Sequence, residues 1–292
     1  MKRPSRNPGK QIKRMLRKEV NYGCPIRNPD GTGCGCPILT YHHFDPPWEG
    51  NFKHNPPGMI ALCPQHHNQA DGGLWSKDQL RQFKKHPYVD DVMRVQWPWG
   101  PETLVMKVGS CLVLGSGSPI RLDGLPVMRF HPHVIEGLPG ARTTIFDSDI
   151  RDTRQNRWLR ISDGWLDLSV NDTDDLIFTP QTKTFVARHG DGTFISMKFQ
   201  KYSYTNFADW VYSFIANRKV TENLRASVEK CGAIDNEGSI PVISFEGKFR
   251  TDKIAVHIEG NKMHFELFLP GHHEAFDWPS YIVDEEHSTE CT

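Results

Sequence analysis

The chain has 292 residues in which 35 Lys and Arg balance 35 Asp and Glu, so overall charge singles out no polyanionic partner. No stretch approaches the roughly twenty apolar residues that a membrane helix needs, which predicts a soluble, cytoplasmic protein with no membrane partner. The charges are unevenly spread: residues 1–90 hold 14 Lys and Arg against 7 Asp and Glu, a surplus that the remainder must offset.

The densest basic stretch comes first. Lys2, Arg3, Arg6, Lys10, Lys13, Arg14, Arg17 and Lys18 have no acid among them, and Ile12, Met15 and Leu16 would form a narrow apolar stripe on a helix. Such a stretch predicts an arm over residues 1–19 laid on nucleic-acid phosphates, with salt-sensitive affinity and no base specificity. A solvated, disordered tail is the alternative.

Four of the seven cysteines follow, at 24, 34, 36 and 63. Cys63-x-x-His66 has the one-turn spacing of a zinc knuckle, and Cys24 with either Cys34 or Cys36 would complete a tetrahedral Cys3His site. Cys34 is favoured because the Asp30-Gly31-Thr32-Gly33 turn leads directly into it, with Cys36 as the substitute. Disulfides are the competing reading, but nothing resembling a secretory signal precedes these cysteines and cytosolic disulfides are uncommon.

A second group needs harder ligands. Leu39-Thr40-Tyr41 and Met59-Ile60-Ala61-Leu62 read as short strands, the first ending at His42-His43. Alternation along a strand turns the two imidazoles to different faces, so that one can hold a metal while the other faces a substrate. Pro64 is suited to open a helix, on which His67 and Asp71, four apart, share a face. So small a unit has little core, and metal is the expected source of its folding energy.

At these residues the chain resembles the HNH endonucleases, the ββα-metal nuclease family, over about residues 20–86. The resemblance implies that His42 is the first metal ligand, His43 the general base, and His67 and Asp71 the helix pair. The catalytic ion would be Mg2+ or Mn2+ and the structural ion Zn2+. The family's Asn position falls on Gly58, and the nearby Asn55 is the candidate to tie the loop in its stead. Further implications are hydrolysis of phosphodiester bonds in DNA, usually double-stranded, leaving 5′-phosphate and 3′-hydroxyl ends, in a bacterial or phage restriction or defence setting. The alternative is a zinc-stabilised nucleic-acid-binding or assembly protein without nuclease activity, for which Gly58 is the best argument.

Downstream, Ser76-x-x-Gln79 is a capping box that opens a helix bearing Leu80 and Phe83 on one face and Lys77, Arg81, Lys84 and Lys85 elsewhere. Trp48 is equally suited to buttress His43 or to touch nucleic acid. Trp97-Pro98-Trp99-Gly100-Pro101 marks a boundary. Beyond it, alternating segments such as 166–170, 195–199 and 254–258, a Gly260-Asn261 hairpin signal and an amphipathic helix over Asn206–Asn217 describe a mainly-β domain. The expected fold is α+β: the basic arm at 1–19, a small zinc-stapled ββα-metal domain at 20–96, and a larger mainly-β domain at 97–292 with a further division near residue 220.

That larger domain carries little chemistry. His131, His133, His189, His272 and His273 read as loop histidines, Cys111, Cys231 and Cys291 as free thiols, and Asp172 to Asp175 as a turn. Its expected role is to select the target, to sense a trigger, to bind a protein partner or to make a homo-oligomer. The acidic Asp284-Glu285-Glu286 end is a candidate mimic of nucleic acid that would hold the basic arm.

Overall fold

The computed structural model describes residues 5–49, 52–96, 105–109, 111–114, 120–122, 125–135, 137–138, 142–213, 224–230, 234, 238–250, 254–259, 261–269, 272–277 and 282–283. Lys2, Arg3, the 97–101 boundary, Gly260, Cys231, Cys291 and the 284–286 acidic end lie outside these residues. The architecture is mixed α+β and the chain divides into two compact units, 1–95 with 167–180, and 96–166 with 181–292. The division at 95/96 adjoins the expected boundary. The return of residues 167–180 to the first unit was not legible in the sequence.

The first unit is built from α1 (Lys10–Glu19), β1 (Thr40–His43), β2 (Met59–Leu62), α2 (Pro64–Asp71), α3 (Lys77–Lys85) and β3 (Val92–Gln96). Helix α1 lies within the stretch expected as an arm. Leu16 is fully buried and Ile12 packs beside it, while Met15 faces outward at 40% exposure, so the apolar stripe is the i, i+4 pair alone. Strands β1 and β2 pair antiparallel with His42 opposite Ile60 and His43 opposite Met59. All four β2 residues are buried because α1 and α2 both pack on this strand. Cys63 caps α2, its Sγ accepting from the His66 N–H at 3.5 Å, with Pro64 in the first turn. The capping box of α3 forms with both reciprocal bonds, and Leu80 joins the core of Val20, Ile26, Phe44 and the β2 residues.

The returning segment brings β10 (Trp165–Ser169), which pairs with β3, and β11 (Thr173–Thr179), which packs against α1. Asp174 and Asp175 therefore sit on a strand, a correction to the turn expected over Asp172 to Asp175. Arg17 explains the placement. Its side chain is buried, and the guanidinium donates to both Asp175 carboxylate oxygens at 2.7 Å and to the Tyr41 hydroxyl at 2.6 Å. Tyr22 adds a bond from its hydroxyl to the Thr173 carbonyl at 2.7 Å.

The second unit is mainly β. It comprises β4 (Val105–Val108), β5 (Cys111–Leu114), β6 (Ile120–Leu122), β7 (Leu125–Val134), β8 (Arg142–Arg151), β9 (Arg157–Ser162), β12 (Thr184–His189), β13 (Phe194–Ser203), α4 (Tyr204–Tyr212), α5 (Leu224–Lys230), β14 (Ser239–Arg250), β15 (Ile254–Glu259), β16 (Lys262–Leu269), β17 (His272–Asp277) and β18 (Ile282–Val283). Strands β6 to β9 form an antiparallel run. Strands β12 to β17 form a second, with β4 parallel to β14. Ile258 pairs with Met263 in the β15–β16 hairpin. Helix α4 buries Phe207 and Val211 as its periodicity predicts, Trp210 stacking on Tyr202 with ring centroids 5.0 Å apart; Phe214 and Ile215 lie outside the described residues.

Candidate metal centres

Two clusters of ligand atoms form in the first unit, both drawing on α2: Cys24, Cys34, Cys63 and His66, and His42, His67 and Asp71, with the atoms of each lying within 4.8 Å of one another. The first begins in the loop after α1, where Cys24 and Cys36 pair through the Cys24 N–H to Cys36 carbonyl bond of 2.9 Å, and Cys34 donates to the Ile26 carbonyl at 3.0 Å. Gly35, between Cys34 and Cys36, takes φ +58°, a left-handed turn suited to glycine. Helix α2 supplies the remaining pair. Cys24 Sγ and Cys63 Sγ lie 3.2 and 3.3 Å from His66 Nδ1, and Cys34 Sγ lies 3.7 Å from Cys63 Sγ.

A tetrahedron with metal–sulfur bonds of about 2.3 Å has edges of about 3.8 Å between sulfurs, close to the observed spacing. Cys36 is not in the convergent set; its Sγ lies 4.0 Å from the Ile38 carbonyl. Hydrogen bonds from Cys24 and Cys36 hold the Cys34 thiol down to about 6, and those from Cys24, Cys34 and Cys36 pull Cys63 lower still, whereas the bonds to Cys34 and Cys63 push the Cys24 thiol up, so two of the three sulfurs lean toward the thiolate and a metal would have to displace the proton of the third. Trp75 covers the His66 ring at 5.7 Å.

The second cluster uses the hairpin end. His42 Nδ1 is 3.0 Å from Asp71 Oδ1, and His67 Nε2 is 3.8 Å from Asp71 Oδ2. His67 and Asp71 share a face one turn apart. Burial lowers the pKa of both His42 and His67, keeping the neutral rings whose lone pairs bind metal. His67 Nε2 is buried with no hydrogen-bond partner. Buried polar atoms are rarely left so, and an ion between this nitrogen, His42 and Asp71 would satisfy it. Two imidazoles and a carboxylate make a mixed nitrogen and oxygen donor set suited to a divalent cation.

His43 departs from expectation. Strand alternation does turn it away from His42, but its ring is only 4% exposed rather than facing a substrate. Trp48 lies 5.0 Å from it and His54 Nδ1 sits 3.0 Å from its Nε2, so Trp48 acts as a buttress. Burial, then the nearby His54, lowers the His43 pKa to about 4. His54 was missed in the sequence because a histidine eleven residues downstream matches no spacing rule. The loop tie falls on Asn55, which donates to the Asp45 carbonyl at 3.0 Å. Gly58 has no room for a side chain: a Cβ there would sit 1.5 Å from the Asp45 oxygen.

The basic residues divide. Arg6 reaches Asp71 at 3.5 Å, Lys10 and Lys18 are exposed, Lys13 lies 5.8 Å over the Tyr41 ring, and Arg14 pairs with Asp174 at 2.5 Å. Arg17 is committed to Asp175, a correction to its expected phosphate contact. In α3, Lys77 and Arg81 pair with Asp45, and Lys84 is tied to Glu19 and two carbonyls, leaving Lys85 exposed.

His189 lies on β12 beside Asp191 and Asp152 rather than in a loop, and Cys111 is buried. His131 and His133 lie on β7 and His272 and His273 on β17, strands rather than loops, with side chains outside what is described. No helix among the described residues is long and apolar enough to cross a membrane. Comparison with family models, curated proteins and solved structures returned no match.

Proposed function

We propose that the first unit is a zinc-stapled ββα-metal nuclease of the HNH type that hydrolyses phosphodiester bonds in double-stranded DNA. The observation that carries this reading is the convergence of His42, His67 and Asp71 around a buried, unpartnered His67 Nε2. A divalent cation held there would act as a Lewis acid on the phosphate and its leaving 3′ oxygen. His43 Nδ1 would take the proton from water as the water oxygen attacks phosphorus, and the P–O3′ bond breaks to leave 5′-phosphate and 3′-hydroxyl ends. Zn2+ on Cys24, Cys34, Cys63 and His66 would pin the start of α2 to the loop after α1. Among the described residues, the exposed Lys10, Lys18 and Lys85 would be available to DNA phosphates, and the second unit is the candidate surface for a protein partner or a second copy of the chain.

The burial of His43 favours a second reading, a zinc-built nucleic-acid-binding module that does not cut, because water must first gain access to the buried Nδ1. Incubation of supercoiled plasmid with the full chain and Mg2+, Mn2+ or Zn2+ separates the two. Nicking by wild type, lost in His67→Ala, supports the nuclease. A gel shift without nicking under any metal supports the module.

A further inference from the structure

The His43–His54 pair and its surroundings carry one more assignment. His43 Nε2 and His54 Nδ1 are 3.0 Å apart, and one proton lies between them. If His54 gave that proton, the neutral His43 ring would carry its own proton on Nδ1. His43 Nδ1 is buried with no hydrogen-bond partner, so the ring would hold an N–H with nothing to accept it, the rarer and costlier defect in a folded interior. If His43 gives the proton instead, Nδ1 is a bare lone pair, which an interior tolerates better. His54 can receive it: its ring is half-buried, and neither of its nitrogens is buried without a partner. Its orientation is fixed by Trp48, which stacks on it with centroids 5.0 Å apart and planes 27° apart and also lies against His43.

We propose that His54 is a positioning residue: by accepting the Nε2–H of His43 it locks that ring in the tautomer whose Nδ1 is an unprotonated base. The tautomer stands on the hydrogen bond and burial alone. Its value to catalysis rests on the nuclease reading, since only the Nε2–H form offers a lone pair on the nitrogen that has no other partner.

The test uses the full, zinc-loaded chain with 15N-labelled histidine. Long-range 15N–1H correlation should show His43 protonated on Nε2 in wild type and in His54→Asn, whose amide oxygen can replace Nδ1 as acceptor, and a shift toward the Nδ1–H form in His54→Leu. With Mn2+ and plasmid, His54→Leu should lose on the order of 10²-fold in kcat with KM unchanged, and His54→Asn should regain most of it. A wild-type His43 protonated on Nδ1, or a His43 spectrum unmoved in His54→Leu, overturns the assignment. A wild type that never cuts defeats the nuclease reading instead, and the spectrum still decides the tautomer. Zinc content and melting temperature, measured on each variant, identify a misfolded one; if His54→Leu fails to fold, the wild-type and His54→Asn spectra carry the decision.

Discussion

Asn55 closes the loop after His43 by donating from Nδ2 to the Asp45 carbonyl at 3.0 Å, the same oxygen that leaves no space for a side chain at Gly58. Gly58 in turn accepts the Phe44 and Asp45 N–H bonds at 2.9 and 3.0 Å, so the loop is tied from both sides. An asparagine placed at position 58 should therefore harm the protein. Gly58→Asn is expected to cost about 3 kcal/mol, because backbone must shift. Asn55→Ala should cost about 1 kcal/mol, the net worth of one bond. Urea unfolding monitored by tryptophan fluorescence measures both, and a Gly58→Asn chain as stable as wild type would contradict the crowding.

Arg17 and Asp175 form a buried pair with both side chains about nine-tenths covered. Removing either partner strands a charge, so Arg17→Met or Asp175→Asn should each destabilise the first unit by roughly 3–5 kcal/mol. Replacing both with apolar residues should recover most of that loss. A double-mutant cycle by chemical denaturation gives the coupling directly, and additive single losses would mean the pair is not a unit.

Cys34 and Cys36 are separated by one residue, yet only Cys34 belongs to the convergent cluster. Cys36→Ser should keep one bound zinc per chain by elemental analysis, while Cys34→Ser and Cys63→Ser should lose it and melt the first unit. Chelation of wild type should reproduce the Cys63→Ser circular dichroism spectrum. Equal zinc content in Cys34→Ser and Cys36→Ser would mean that the two thiols exchange.

His67 contributes the buried nitrogen of the second cluster. His67→Ala should weaken Mn2+ binding by at least about 10²-fold in calorimetric titration, comparable to the loss of a single metal-site interaction. Its zinc content should stay at the wild-type level. Unaltered Mn2+ affinity would remove the second centre.

Asp191 supplies a pH test in the second unit. Burial pushes its carboxyl up, but the Thr153 and Thr193 N–H groups at 2.7 and 2.8 Å outweigh that and hold it well below the usual carboxylate range. A pKa depressed in the fold stabilises above the unfolded value of about 3.9, and the gain disappears as pH falls through the folded pKa. The deficit of Asp191→Asn in urea should thus be present at about pH 5 and shrink as pH falls below about 4. His189 Nδ1 lies 2.7 Å from Asp191, and Asp152 lies 4.0 Å from His189 Nε2 on the other side of that ring. A deficit that grows in acid would reverse the sign.

Much of the first unit was legible because metal ligands have fixed spacings. The Cys63-x-x-His66 turn, the i, i+4 pair of His67 and Asp71, and the strand ending at His43 each follow from helical or strand periodicity, and all seven cluster residues converge as expected. Tertiary effects were not legible. Arg17 reads as one more cation until Asp175, far along the chain, meets it. The cover on His43 depends on a loop that folds Trp48 and His54 back over the hairpin, which no local pattern encodes. In the second unit alternation revealed the strands, but pairing order, such as β4 beside β14, is a long-range property that alternation does not specify.

His66 and His67 are neighbours on one helix and belong to different centres. An α-helix turns about 100° per residue, so the two rings diverge by a fixed rotation that only an intact first turn maintains. Uncoiling that turn would swing His67 off its mark even with every other group in place. Loading should consequently be ordered, zinc before the divalent ion, and a chain starved of the one would be blind to the other however much of it were supplied.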